Sequence, residues 1–225
     1  VTGAGRAFCA GADLVSGGGG DTFSGGGLGD PRALAERYPG PRKRADELST
    51  PIIAAINGPC VGAGLTMPLG WDIRIAADDA KLGFVFNRRG IMPDADLLWY
   101  VPKLIGLSRA VDLLLTGRFF TGREAEQWGL VSRCVPKERV VDEALLVAND
   151  IATNTAPVSA AITKKLAYRF LNETDRAEAL RFQSRLFAWT GRQEDAREGI
   201  RAFLDKRDPD WKLSKTRDLP DALRD

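Results

Sequence analysis

The sequence predicts an α/β core followed by an α-helical C-terminal region, and three observations carry that expectation. Short apolar runs with β-branched residues, at 51–56, 72–76, 81–85 and 130–135, read as strands and all precede residue 136. A glycine turn, Gly62-Ala63-Gly64, joins the first of these strands to an apolar helix start. From Val140 onward the pattern is helical, over 140–153, 157–171, 176–190 and 193–206. Strands collected early and helices late divide the chain into a core at 1–137 and a helical region at 138–225.

Taken in order, 1–5 (Val-Thr-Gly-Ala-Gly) reads as the end of a strand entering a turn, so further strands are expected ahead of it. The stretch 7–13 is rich in small residues, which suits backbone lying close to a ligand or another strand. Residues 17–30 are dominated by glycine and predict a mobile surface loop. A helical pattern at 31–48 carries the basic cluster Arg42, Lys43 and Arg44, either a solvated face or a phosphate contact. The run 51–56 is a buried strand; the helix after the glycine turn contains Pro68, which lacks an N–H and should kink it.

Asn87 to Gly90 turns the chain, and Pro93-Asp94 opens a helix filled by Leu97, Leu98, Trp99 and Val101. Another helix over 108–116 takes Ser108 as N-cap and places Val111, Leu114 and Leu115 on one face. Thr121-Gly-Arg-Glu124 is a capping box, and Gly129 stops the helix it begins. Phe182, Leu186, Phe187 and Trp189 form an apolar stripe suited to core or to a subunit contact.

Composition excludes several classes. At 225 residues and a net charge of +2, nothing points to nucleic acid or an anionic membrane, and no apolar run approaches the ~20 residues of a membrane span. Three widely spaced cysteines, Cys9, Cys60 and Cys134, indicate reduced thiols and a cytoplasmic setting, with no metal-ligand spacing. Histidine is absent, which removes Ser-His-Asp and Cys-His catalysis and histidine-ligated zinc. Acid–base work falls to Asp, Glu, Lys, Tyr or Cys.

The glycine turn is the chemically suggestive element. A strand, a glycine turn and a helix start aim unpartnered N–H groups at one point, where an anion or developing oxyanion is stabilised. The same turn also serves as a tight strand-to-helix link without a ligand.

Phe8-Cys-Ala-Gly-Ala-Asp13, Pro51-Ile-Ile-Ala-Ala-Ile-Asn-Gly58, Gly62-Ala-Gly64, Asp72, Leu115-Thr-Gly117, the Gly-Leu-Val at 129–131 and Glu198-Gly-Ile-Arg-Ala-Phe-Leu-Asp-Lys-Arg207 occur in that order. Together they resemble the crotonase (enoyl-CoA hydratase/isomerase) superfamily across nearly the whole chain. The resemblance implies a spiral of ββα turns, a C-terminal trimerisation region, a homotrimer or dimer of trimers, and a role in fatty acid metabolism. It also implies an acyl-CoA thioester as substrate with no cofactor. The thioester oxygen would be held by the N–H groups of Ala12 and Ala63, with Ala10, Gly11, Asp13, Leu14, Gly62, Gly64, Thr66, Phe86 and Lys206 lining the substrate and CoA site. Such donors stabilise an enolate more than the neutral thioester, and losing one typically costs ~100- to 1000-fold in rate.

The chain departs from the family at its acids. The two glutamates of family hydratases fall here on Thr66 and Phe86, neither of which transfers a proton as a carboxylate does. Asp94 stands where family isomerases carry their Glu or Asp, and isomerisation needs one such group. Packing among Ile91, Met92 and Leu97 would raise its pKa, whereas use as a helix N-cap would lower it. Asp96 is the substitute, or a first-turn partner of the helix dipole. The resemblance therefore favours an enoyl-CoA isomerase, with hydratase-like or acyl-CoA hydrolase chemistry and a non-catalytic acyl-CoA-binding subunit as alternatives.

Overall fold

The computed structural model describes residues 1–14, 36, 43–93 and 95–224. The glycine-rich stretch 17–30, the predicted helix at 31–48 as far as residue 42 apart from Glu36, and Asp94 lie outside the described residues. The chain divides into two units, Val1–Arg44 with Ile52–Ala144, and Ala45–Pro51 with Leu145–Asp225.

The first unit is built on two three-stranded sheets among the described residues. One holds β1 (Ile53–Ile56), β3 (Ile73–Ala77) and β6 (Arg133–Val135) in the order β1-β3-β6, all parallel, with Ile53 opposite Ile73 and Ile75 opposite Arg133. The other holds β2 (Cys60–Val61), β4 (Leu82–Gly83) and β5 (Phe119–Phe120), where β2 and β4 are parallel and β5 runs antiparallel to β4. The N-terminal chain follows the same course, with parallel bridges from Thr2 to Ala55 and from Cys9 to Cys60. Three passes, 1–9, 53–61 and 73–83, thus each visit the first sheet and then the second. All four residues of β1 are buried, as expected of a parallel strand covered on both faces.

After β2 the chain enters α1 (Ala63–Thr66), which passes directly into a 3-10 turn, Met67–Gly70. Pro68 does not kink an α-helix, as the sequence suggested. It lies in the first turn of the 3-10 segment, where an N–H has little to bond. Leu65 and Leu69 on this segment are buried with Ile56, Ile75, Leu82, Phe84 and Leu97.

Two helices follow, α2 (Ala95–Ile105) and α3 (Leu107–Thr116). Ser108 is not the N-cap of α3, because Gly106, at φ 79° and ψ 151°, takes that place two residues earlier. The buried face also differs from the expected one. Ala110, Leu113 and Leu114 are inside, whereas Val111 and Leu115 are exposed. α4 (Gly122–Trp128) has the expected capping box: Thr121 Oγ1 accepts from Glu124 N at 3.2 Å and Glu124 Oε2 accepts from Thr121 N at 2.8 Å. Its C-terminal end also shortens the strand expected at 130–135, since the N–H groups of Leu130 and Val131 turn back to Ala125 O.

The second unit contains the greater part of α5 (Val140–Asn154), then α6 (Pro157–Phe170), α7 (Arg176–Gly191) and α8 (Glu194–Asp205). Val158, Ala161, Ile162, Leu166, Phe182, Leu186, Leu219 and Leu223 form its core, with Trp189 packed against them. Phe187 is not in that stripe. It is 77 % exposed because it lies a full 100° around the helix from Leu186. The last stretch of chain is held by buried Asp195, which accepts from Lys212 N at 2.7 Å and Leu213 N at 3.3 Å. No helix forms over 43–48. Instead 45–47 is a turn, and Lys165 and Lys164 donate to the Glu47 and Thr50 carbonyls at 3.1 and 2.9 Å.

Candidate active site

β1 delivers the chain to Asn57, and β2 to Gly62. Gly62 has φ 58° and ψ −131°, a combination open to glycine and closed to side-chain-bearing residues. Its N–H donates to Gly83 O at 2.9 Å, and its carbonyl accepts from Leu65 N, Thr66 N and Thr66 Oγ1 at 2.9, 3.1 and 3.3 Å. The reversal leaves Ala63 exposed while Gly64, Leu65 and Thr66 are buried.

The segment carrying Ala12 runs beside this turn. Phe8 N and Cys9 N donate to Pro59 O at 3.0 and 3.2 Å, and Val61 N donates to Cys9 O at 3.0 Å. At Gly11, φ is 85°, and a Cβ built there would stand 2.7 Å from Val61 O and 3.5 Å from Ala63 N. The backbone immediately before Ala12 is therefore in contact with the start of α1. Among the described residues, neither the Ala12 N–H nor the Ala63 N–H has a hydrogen-bond acceptor. Two main-chain donors without partners among the described residues, on adjoining chain segments, are what a ligand oxygen requires.

Gly64 sets how closely the two segments approach. A Cβ there would lie 2.5 Å from Cys9 O and 2.8 Å from Cys9 Sγ. Cys60 Sγ donates to Gly64 O at 3.2 Å, and burial, with Cys9 alongside, pushes the Cys60 thiol far above the usual range. Cys60 is a packing residue and not a nucleophile.

Sequence reasoning passed over Asn57. Its Nδ2 donates to Gly3 O at 2.9 Å and Gly5 O at 3.1 Å, and its Oδ1 accepts from Gly3 N at 3.2 Å, so one carboxamide ties the first pass to the second. The available signal was the Asn-Gly pair after a strand, which marks turn chemistry.

The remaining expected positions are distributed as follows. Gly11 and Ala12 are half-buried, and Ala10, Asp13 and Leu14 are exposed on the same segment. Thr66 is buried and its hydroxyl is engaged by Gly62 O; Phe86 is buried ahead of the 3-10 turn Asn87–Arg89. Of the apolar residues expected to enclose Asp94, Leu97 is fully buried, Ile91 is half-buried and Met92 is 74 % exposed. Asp96 is exposed in the first turn of α2, 3.6 Å from Arg44, as a dipole partner would be. Lys206 belongs to the second unit, exposed at the C-cap of α8 with a left-handed φ of 53°. Among the described residues no group of three potential metal ligands occurs, and no helix is long and apolar enough to cross a membrane.

Residues 1–214 match the family described as enoyl-CoA hydratase/isomerase. The chain is 40 % identical over 210 residues to the enoyl-CoA hydratase ACTT3 of Alternaria alternata, covering 92 % of this chain and 68 % of that one. It is 36 % identical to the 1,2-epoxyphenylacetyl-CoA isomerase of Escherichia coli (strain K12), covering 94 % and 79 %. Among solved structures, it is similar to a probable enoyl-CoA hydratase/isomerase of Mycobacterium abscessus at a TM-score of 0.80 and 38 % identity, covering 95 % and 78 %.

Proposed function

The chain belongs to the enoyl-CoA hydratase/isomerase family, with the crotonase-like α/β fold of its structural neighbours, and from that footing we propose that it is an enoyl-CoA isomerase. An acyl-CoA thioester places its carbonyl oxygen between the N–H groups of Ala12 and Ala63. Asp94 removes a proton from one carbon of the bound acyl chain and returns it two carbons away. Negative charge gathers on the thioester oxygen between these steps, and the two donors favour that state over the neutral thioester.

The observation that carries this reading is the pair of N–H groups, on adjoining segments, that have no acceptor among the described residues. A preference for isomerisation over hydration is supported by Thr66 and Phe86, since a buried hydroxyl already engaged by Gly62 O and a phenyl ring offer no carboxylate for activating water. Hydratase names among the relatives favour a second reading, water addition with Asp94 as the sole acid.

Incubating the purified protein with 3-enoyl- and 2-enoyl-CoA separates the two. The isomerase reading expects conversion of the 3-enoyl to the 2-enoyl thioester without a 3-hydroxyacyl product, and a loss of ~100-fold or more in Asp94→Ala. An Asp94→Ala variant with undiminished turnover would overturn it. The three passes that each visit both sheets support a spiral ββα course. Exposed Phe187, Ile200, Phe203 and Leu204 on α7 and α8 support assembly as a trimer or dimer of trimers through the C-terminal helices, and the reduced thiols support a cytoplasmic location.

A further inference from the structure

We infer that Arg74 is a positioning residue for the Ala63 N–H, an inference that rests on Ala63 being a donor to the thioester oxygen. The helical segment that begins at Ala63 is only eight residues long, four in α1 and four in the 3-10 turn. A segment this short has no independent stability, so its placement is imposed by what surrounds it. Leu65 and Leu69 hold it down by burial, but apolar contact resists sliding and rotation weakly because it has no direction. Directional bonds act at both ends: Gly62 N donates to Gly83 O at 2.9 Å and Cys60 Sγ donates to Gly64 O at 3.2 Å beside Ala63, and Arg74 acts at the other end.

At the opposite end Pro68 O accepts from Trp71 N at 3.2 Å, and the last carbonyls of a helical segment run out of N–H groups in their own helix. Arg74 Nη1 donates to Trp71 O at 2.6 Å and lies 3.3 Å from both Pro68 O and Leu69 O; Nε donates to Leu130 O at 2.8 Å. A single planar group thus fixes three carbonyls at the end of the segment relative to the chain leaving α4. Its own backbone is equally constrained, since Arg74 lies in β3, the central strand of its sheet, opposite Ala54. A displacement of the carbonyl end is transmitted along the segment to Ala63, because the chain between them is hydrogen-bonded as one short rod. Lysine carries the same charge but lacks the fork, and cannot serve Leu130 O and the three helix-end carbonyls together.

The test uses Arg74→Lys and Arg74→Met in the full chain, with hexanoyl-CoA labelled with carbon-13 at the thioester carbonyl. The carbonyl stretching frequency of the bound thioester reports how strongly the donors polarise it, independently of turnover. In the wild type it should fall below that of free hexanoyl-CoA. In both variants it should move back towards the free value, with C2-proton exchange slowed ~10- to 100-fold and hexanoyl-CoA affinity changed less than ~3-fold. A wild-type shift retained unchanged in Arg74→Lys, at a wild-type exchange rate, overturns the positioning role and leaves the donor reading standing. Slow exchange with an unshifted frequency relative to wild type also overturns it, since that pattern marks general destabilisation. No shift in the wild type itself refutes the donor reading, and the positioning role falls with it. If Arg74→Met does not fold, Arg74→Lys decides the question alone.

Discussion

Gly64→Ala adds a methyl group at the point where the two donor-bearing segments meet. The new Cβ would stand 2.5 Å from Cys9 O, while ordinary contact begins at 3.4 Å, so the segments must part by 0.9 Å (3.4 − 2.5). The obstruction is main chain, held by its bonds to Pro59 and Val61, and cannot swing aside as a side chain would. Overpacking of this kind costs about 1–3 kcal/mol, and a donor displaced by nearly 1 Å loses ~100-fold in rate. C2-proton exchange of an acyl-CoA in deuterated water, measured alongside thermal unfolding, should show both effects. Adding Cys9→Gly removes the contacts at 2.7 and 2.8 Å from Cβ and Sγ but not the one from the carbonyl, so the double variant should not recover. Gly191→Ala, which meets nothing within 4 Å, is the control and should leave exchange unchanged with no loss of stability. Wild-type exchange in Gly64→Ala, or full recovery in the double variant, would refute the reasoning.

Three further outcomes follow from the second unit and the thiols. Asp195→Ala leaves the Lys212 and Leu213 N–H groups without their acceptor, and urea unfolding should show a loss of about 1–3 kcal/mol. Glu198 is pulled down to about 2 by its bonds from Arg207 and from Asp210 N, so the stability it contributes is present above the ordinary carboxylate value of 4.5 and lost as pH falls towards about 2. Glu198→Gln should flatten that acid limb in a pH series of melting temperatures. Burial, then the hydrogen bond to Glu126, raises the Cys134 thiol from 9.0 to about 11. The folded chain holds this proton where the unfolded chain releases it, so stability should decline as pH rises from about 9 towards about 11, and decline less in Cys134→Ser.

The elements most legible in the sequence were those specified locally. Thr121 and Glu124 make a capping box that needs only four consecutive residues, and it formed as read. The run that became β1 was continuous and apolar, the one that became β3 carried Ile73 and Ile75 on either side of Arg74, and their boundaries moved by one or two residues. Elements set by distant partners were read less well. The face of α3 was read only in part: Leu114 is buried as expected, but tertiary packing buries Ala110 and Leu113 in place of Val111 and Leu115. The turn at 45–47 replaced a helix because lysines more than 100 residues away take its carbonyls. Within the candidate site, the glycines at 62 and 64 were visible as a motif, but their reasons differ. Gly62 is needed for its dihedral angles and Gly64 for the proximity of Cys9, which no reading of adjacent residues could distinguish. Asn57 and Arg74 act on backbone atoms brought near by the fold, so their side chains carried no local signal beyond an Asn-Gly pair.

If the Ala12 and Ala63 N–H groups hold the thioester oxygen as proposed, a donor pair made of peptide groups bears on how this chain could diversify. Ala12 and Ala63 could become serine or valine and still present the same two hydrogens, because those hydrogens belong to the chain path that Gly11, Gly62 and Gly64 dictate. The side chains at 66 and 86 are under no such geometric obligation. Polarising the carbonyl and choosing where protons travel are then separate tasks. A new reaction could arise by exchanging one or two acidic or neutral residues, with the glycines left untouched.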